Sequence, residues 1–268
     1  MQQKKNTTEY PTVANREIKM NKYLKNLSRI EFVVTNACTG KCRHCSQSNH
    51  ESKEKLDKTL SAEAVRKISE KYSITSVMTF GGEPLLHPEA VFEIHKAAKE
   101  MNIPKRQLIT NGFFTGDFGK IRSVAEKIVI NGVNDILLSV DAFHQETIPL
   151  EFVQAFAKAI LELKGQIRTH PAWLVSASDN NIYNRKTKEI LEIFSNMGIK
   201  SNEGNIVFPE GNALKYLGQY FNSAEEVKNP YREDPENIRA ICFSANGDIL
   251  KSNIYKEDID EILSGYTP

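Results

Sequence analysis

The 268-residue chain is predicted to be an α/β protein: a partial (β/α)6 TIM-type barrel with a short C-terminal β-hairpin cap. Three observations predict it. Short apolar runs rich in β-branched and aromatic residues alternate with longer stretches of helical periodicity, the pattern of a parallel sheet covered by helices. About six such strand–helix units can be traced, too few for a closed eight-fold barrel. Near the end of the chain, Asn246-Gly247 sits between two apolar runs and reads as a hairpin turn outside the alternation.

The elements follow in order. A short helix is expected near Asn21–Leu27, then a β-branched and aromatic strand over Ile30–Thr35. Ser61–Lys71 reads as a helix capped by Ser61. Ser76–Phe80 is a strand ending in Gly81-Gly82. Pro88–Met101 is a helix with Val91, Ile94, Ala97 and Ala98 on one face. Gln107–Thr110 is a strand stopped by Asn111-Gly112, and Phe118–Ile130 a helix with Ile121, Val124, Ala125 and Ile128 in step. Asp135–Asp141 carries the strongest strand signal. Pro149–Lys164 is a helix opened by proline. Trp173–Ser176 is a strand, Arg185–Met197 a helix closed by Gly198, and Asn205–Phe208 a strand. The organisation expected is a lead-in over 1–29, a core over 30–211 and a C-terminal cap over 212–268.

Composition narrows the function. The 35 Lys+Arg against 34 Asp+Glu give no electrostatic reason to expect nucleic acid as a partner. No apolar run approaches the roughly 20 residues that cross a bilayer. Met1–Asn26 is polar, without the apolar stretch of a secretory signal, so the default expectation is a cytoplasmic protein with no membrane partner.

Chemistry concentrates in the cysteines. Of four, Cys38, Cys42 and Cys45 fall within eight residues, spaced C-x3-C-x2-C in Cys38-Thr39-Gly40-Lys41-Cys42-Arg43-His44-Cys45. A disulfide scaffold spreads its cysteines, so clustering points to metal. Thiolates suit zinc and iron–sulfur clusters. Three thiolates on a cubane leave one iron open to another ligand. The competing reading is a structural zinc site with His44 or His50 as fourth ligand, although a zinc ribbon pairs its cysteines twice and this chain does not. A non-catalytic iron–sulfur or zinc module acting as electron carrier or sensor is the rival of another class.

The triplet resembles the signature of radical S-adenosylmethionine (SAM) enzymes, and Gly81-Gly82-Glu83-Pro84 is similar to that family's GGEP motif. The resemblance spans roughly Ile30–Phe208. It implies one [4Fe–4S] cluster on Cys38, Cys42 and Cys45, and SAM on the open iron. Reductive cleavage of SAM to a 5′-deoxyadenosyl radical and hydrogen abstraction from a substrate would follow. It also implies an external electron donor such as flavodoxin or ferredoxin. His44 would pack near the adenine; Gly81, Gly82, Glu83 and Pro84 would meet the SAM amino group, for which Glu83 supplies negative charge. Thr110-Asn111-Gly112 resembles the family's TNG segment and puts Asn111 near the cofactor. Ser139 and Asp141 alternate onto one face of their strand and resemble the S-x-D segment near the ribose. Ser176 is a candidate for the SAM carboxylate.

His144, in the loop after Asp141, is a candidate proton donor or acceptor at the substrate. The tail from Cys242 resembles the opening of the SPASM or twitch extension. No cysteine follows it, so a single cluster is expected, with Cys242 either a buried thiol or a hydrogen-atom donor. The SPASM-like tail leans towards peptide or protein modification, with small-molecule biosynthesis the alternative.

Overall fold

In strand β1 (Arg29–Val33) burial alternates residue by residue: Ile30 and Phe32 are fully buried on the outer face, under helices. That period of two repeats through the sheet and sets its two faces. A computed structural model describes residues 20–46, 51–221 and 232–268. Helix α1 (Lys58–Lys71) and strand β2 (Ser76–Phe80) follow β1, then helix α2 (Pro88–Glu100), strand β3 (Lys105–Thr110) and helix α3 (Phe118–Ile130). Strand β4 (Asp135–Leu138), helix α4 (Leu150–Glu162) and strand β5 (Ile167–Thr169) complete the regular alternation. Beyond it come β6 (Ala172–Trp173), α5 (Ile182–Asn196), β7 (Asn205–Ile206), α6 (Gly211–Leu217), β8 (Ala240–Phe243), β9 (Asp248–Ile249), β10 (Ser252–Asn253) and α7 (Ile259–Gly265).

Six strands form one sheet in the order β5-β4-β3-β2-β1-β8, every pairing parallel. The predicted fold class therefore holds, a parallel six-stranded sheet with helices outside, but its sixth strand comes from the tail. Outward residues feed two apolar layers. One gathers Ile30, Phe32, Val77, Ile241 and Phe243 with α1 and α7; the other gathers Leu108, Ile136 and Leu138 with α3 and α4. Inward residues at the C-terminal strand ends, among them Val33, Phe80, Ile109 and Ser139, line a cavity of about 630 Å3. Functional groups gather at this end in barrels of this kind.

The structure corrects several expected elements. Residues 21–27 form successive turns closed by Leu24 N–H to the Asn21 carbonyl and Leu27 N–H to the Leu24 carbonyl, not a helix. Helix α1 starts three residues before Ser61, because the Asp57 carboxylate caps it by accepting from the N–H groups of Thr59 and Leu60. The fifth barrel strand is Ile167–Thr169; of the predicted Trp173–Ser176 strand only Trp173 pairs, within the small β6–β7 sheet. Strand β4 ends at Leu138, so Ser139 and Asp141 lie beyond it. Gly247 does turn the chain, its N–H bonding the Ser244 carbonyl. The hairpin itself is β9–β10, one turn later, around Leu250 and Lys251, both at positive φ. His50 and residues 1–19 of the lead-in lie outside the described residues.

Candidate active site

The loop leaving β1 carries the three cysteines, and four neighbouring segments fix it. Gly82 N–H donates to the Thr35 carbonyl and Glu83 N–H to the Ala37 carbonyl, both at 2.8 Å, so the glycine pair runs against the start of the loop. A Cβ on Gly82 would lie 2.1 Å from the Ala37 oxygen, and one on Gly81, at φ +142°, 2.4 Å from the Thr35 oxygen. Close backbone packing is thus what demands glycine at both positions. From β3, Thr39 Oγ1 donates to the Phe113 carbonyl at 2.6 Å, and the Asn111 amide donates to Thr39 Oγ1 at 3.2 Å and to Cys38 Sγ at 3.6 Å. From the loop after β4, Thr147 Oγ1 accepts from Lys41 N–H at 3.1 Å and Glu146 pairs with Arg43. From α6, Asn212 N–H donates to the Cys45 carbonyl at 2.9 Å and its side chain to the Cys42 carbonyl at 3.3 Å.

Glu83 is fully buried behind the cavity wall. Its carboxylate accepts from Leu85 N–H, Thr110 Oγ1 and Asn111 N–H, and burial pushes its pKa up to about 7 against those hydrogen bonds. Gly81 and Gly82 face the cavity, and Pro84 opens a short 3-10 turn that Glu83 caps.

Beyond β4, Asp141 is also fully buried. One oxygen accepts from the N–H groups of Phe143 and His144; the other accepts from Ala172 N–H at 2.9 Å and meets His144 Nδ1 at 2.8 Å. Burial raises its pKa, but the His144 imidazole and these N–H groups outweigh burial and hold it below the usual carboxylate range. Asp141 therefore organises the loop and links it to β6. Ser139 lines the cavity without it. His144 lines the cavity, while the His44 ring packs against Phe143 at 4.9 Å and against His144 at 4.7 Å. Burial and His144 bring the His44 pKa down to about 4, so its ring is neutral, and its Nδ1 is buried without a hydrogen-bond partner among the described residues.

The remaining candidates fall elsewhere. Ser176 is hydrogen-bonded to Ser178 in a turn and is absent from the cavity wall. Cys242 is exposed, not buried as expected of a structural thiol. It stands opposite Glu31 in the β1–β8 register, two residues below Val33, and does not line the cavity. Nothing in the sequence marks Thr147. The segment Pro209–Asn212 reads in the sequence as a candidate substrate rim, whereas the structure sets Asn212 against the cysteine loop and packs Gly211 so closely that a Cβ on it would lie 2.3 Å from the Ser46 carbonyl oxygen.

The donor set suits a cubane better than a single ion. All three cysteines line one cavity of about 120 Å3, which the larger cavity adjoins through His44, Gly81, Ser139 and His144. A tetrahedral zinc would bring its thiolates to about 3.8 Å of one another. Among the described residues, the three sulfurs do not form a group within 4.8 Å, whereas His44, Asp141 and His144 do. That trio is a hydrogen-bonded pair with a packed ring, its carboxylate already filled by protein donors. Burial pushes the Cys38 thiol up to about 11 and that of Cys42 higher still. Their ionisation calls for the positive charge that a bound metal brings.

Fold and site together define a partial barrel with three cysteines gathered on one cavity at the C-terminal ends of its strands. The chain belongs to the radical SAM superfamily, whose family model matches residues 32–212. Members of this family work with a [4Fe–4S] cluster and SAM. Among curated proteins it is similar to a probable GTP 3′,8-cyclase of Saccharolobus solfataricus, 25% identical over 215 residues that cover 75% of this chain and 67% of that one. A probable GTP 3′,8-cyclase of Methanocaldococcus jannaschii is 28% identical over 128 residues, 47% of this chain and 40% of that one. Among solved structures the fold resembles Streptococcus suis SuiB bound to SAM, with TM-score 0.54 and 14% identity, covering 89% of this chain and 66% of that one. It also resembles anSMEcpe with bound SAM and the Cp18Cys peptide, with TM-score 0.55 and 14% identity, covering 88% and 78%. No helix among the described residues is long and apolar enough to cross a membrane.

Proposed function

We propose that Cys38, Cys42 and Cys45 hold a single [4Fe–4S] cluster, and that SAM lies between it and the 630 Å3 cavity, against Gly81, Gly82, Asn111, Ser139 and His44. When bound, the cluster supplies the electron that splits SAM into methionine and a 5′-deoxyadenosyl radical. The residues of the chain bind, orient and shield. His44, neutral and packed against Phe143 and His144, lines both cavities and offers its ring as a packing surface. Glu83 and Asp141 act as positioning residues, each holding a cavity-lining segment through several buried hydrogen bonds. His144, held through Nδ1 by Asp141, presents its other ring edge to the cavity and exchanges a proton with the substrate there. A peptide substrate is the favoured reading. The side chains lining the larger cavity are apolar or neutral and polar, among them Asn36, Ser46, His170 and Asn205, which suit amide groups.

The observation that carries the radical SAM reading is the convergence of three cysteines, Gly81-Gly82 and Asn111 on one small cavity that opens into a larger one. A small-molecule substrate is the second reading, favoured by the sequence likeness to proteins named GTP 3′,8-cyclase. Reduced, cluster-loaded protein supplied with SAM and GTP decides between them. GTP-dependent release of 5′-deoxyadenosine with loss of GTP selects the second reading. Release that GTP leaves unchanged, and that a candidate peptide stimulates, selects the first.

A further inference from the structure

A side chain from outside the cysteine loop donates a hydrogen bond to one of its sulfurs. Asn111, 4% exposed at the end of β3, directs its amide at Cys38 Sγ, 3.6 Å away, and at Thr39 Oγ1, 3.2 Å away. The orientation of that amide is fixed from its other side, because Asn111 Oδ1 accepts from Phe113 N–H at 2.8 Å and so the NH2 group faces the cysteine loop. Asn111 N–H is in turn held by Glu83 at 2.8 Å. Cys38 Sγ takes a second N–H from Gly40 at 3.3 Å. The Cys38 sulfur is thus met by a side-chain donor placed at the end of β3, a segment that also walls the cavity.

The geometry points to Asn111 as a residue that sets the reduction potential of the cluster, by donating a hydrogen bond to the Cys38 thiolate. Such a bond draws charge from sulfur, favours the more negative reduced cluster and raises its potential. The inference rests on the reading above that these cysteines hold a cubane. In this role Asn111 acts through the sulfur and is a positioning residue.

The test is an anaerobic redox titration of the cluster-loaded protein without SAM, followed by electron paramagnetic resonance of the reduced state. Asn111→Leu removes the donor at similar size and is expected to move the potential to more negative values. A wild-type potential in Asn111→Leu at full iron content overturns the inference. Should the variant fail to keep iron, electron–nuclear double resonance on the wild-type protein after exchange into D2O decides. Exchangeable protons coupled to the cluster beyond the one from Gly40 support the assignment; one or none overturns it. Failure of the cubane reading is separately visible, as wild-type protein that takes up no iron and sulfide.

Discussion

Phe32 of β1 stacks on Phe243 of β8, with ring centroids 4.7 Å apart and planes 12° from parallel. Both rings are fully buried, and the contact joins the first barrel strand to one that follows it by some 200 residues. Arg29–Phe32 pairs in parallel with Ala240–Phe243, so the tail is part of the barrel sheet. Replacing Phe243→Ala should cost about 3–5 kcal/mol. Thermal unfolding checks this, with hydrogen exchange expected to show lost protection along β1 as well as β8. A tail docked only on the surface would leave β1 protected.

Gly82→Ala would drive a Cβ to 2.1 Å from the Ala37 oxygen, a backbone atom that cannot rotate away. The cysteine loop must shift as a whole. The expected result is a loss of about 1–3 kcal/mol in stability together with reduced iron uptake, measured by denaturation and by iron analysis of the reconstituted protein. Gly218→Ala is the control for loss of a glycine alone, since a Cβ there meets nothing within 4 Å and its φ is −52°. It should keep both stability and iron.

Asp141→Asn keeps an acceptor for the N–H groups of Phe143 and His144 but turns an NH2 group towards Ala172 N–H and His144 Nδ1. A buried donor facing a donor costs about 1–3 kcal/mol. The His144 ring should also lose its fixed tautomer, which nitrogen-15 NMR of labelled histidine reads directly.

His95 contributes to the acid dependence of stability, alongside His44 and Asp141. It is fully buried on α2, its Nε2 meets Thr79 Oγ1 at 2.9 Å, and burial, helped by Arg106, lowers its pKa from 6.5 to about 3. The unfolded chain therefore takes up a proton between those values that the folded chain refuses. Its contribution is complete above pH 6.5 and is lost progressively as pH falls towards 3, by up to about 5 kcal/mol. Urea denaturation from pH 7 to pH 4 should show this slope, and His95→Gln should flatten it even if it lowers stability overall.

Local signals carried a good part of this molecule. Ser76–Phe80 and Phe118–Ile130 are legible because apolar period and flanking turn residues agree. The cysteine loop and Gly81-Gly82 are legible because few other chemistries use those residues so closely spaced. Strand β5 was missed because it has three residues, one of them Arg168, whose guanidinium pairs with Asp135 inside the barrel. A charged inward face erases the apolar signal. Strand β8 was misassigned because parallel pairing with β1 is non-local, and Asn246-Gly247 advertises a hairpin that forms one turn later through Leu250 and Lys251. Alternation put Asp141 on a strand face, but β4 ends at Leu138 and the carboxylate turns inward to bind backbone N–H groups. Hydrogen bonds that offset its desolvation make that choice, and sequence period does not encode them.

An iron–sulfur cubane held by Cys38, Cys42 and Cys45 should cleave SAM. Anaerobic reconstitution with iron and sulfide, reduction with dithionite, addition of SAM and quantification of 5′-deoxyadenosine by mass spectrometry test this. About four irons per chain and reductant-dependent 5′-deoxyadenosine, both lost in a variant with all three cysteines replaced by alanine, are the predicted result. Tight binding of one zinc ion with no nucleoside released, or release that survives replacement of the three cysteines, would contradict it.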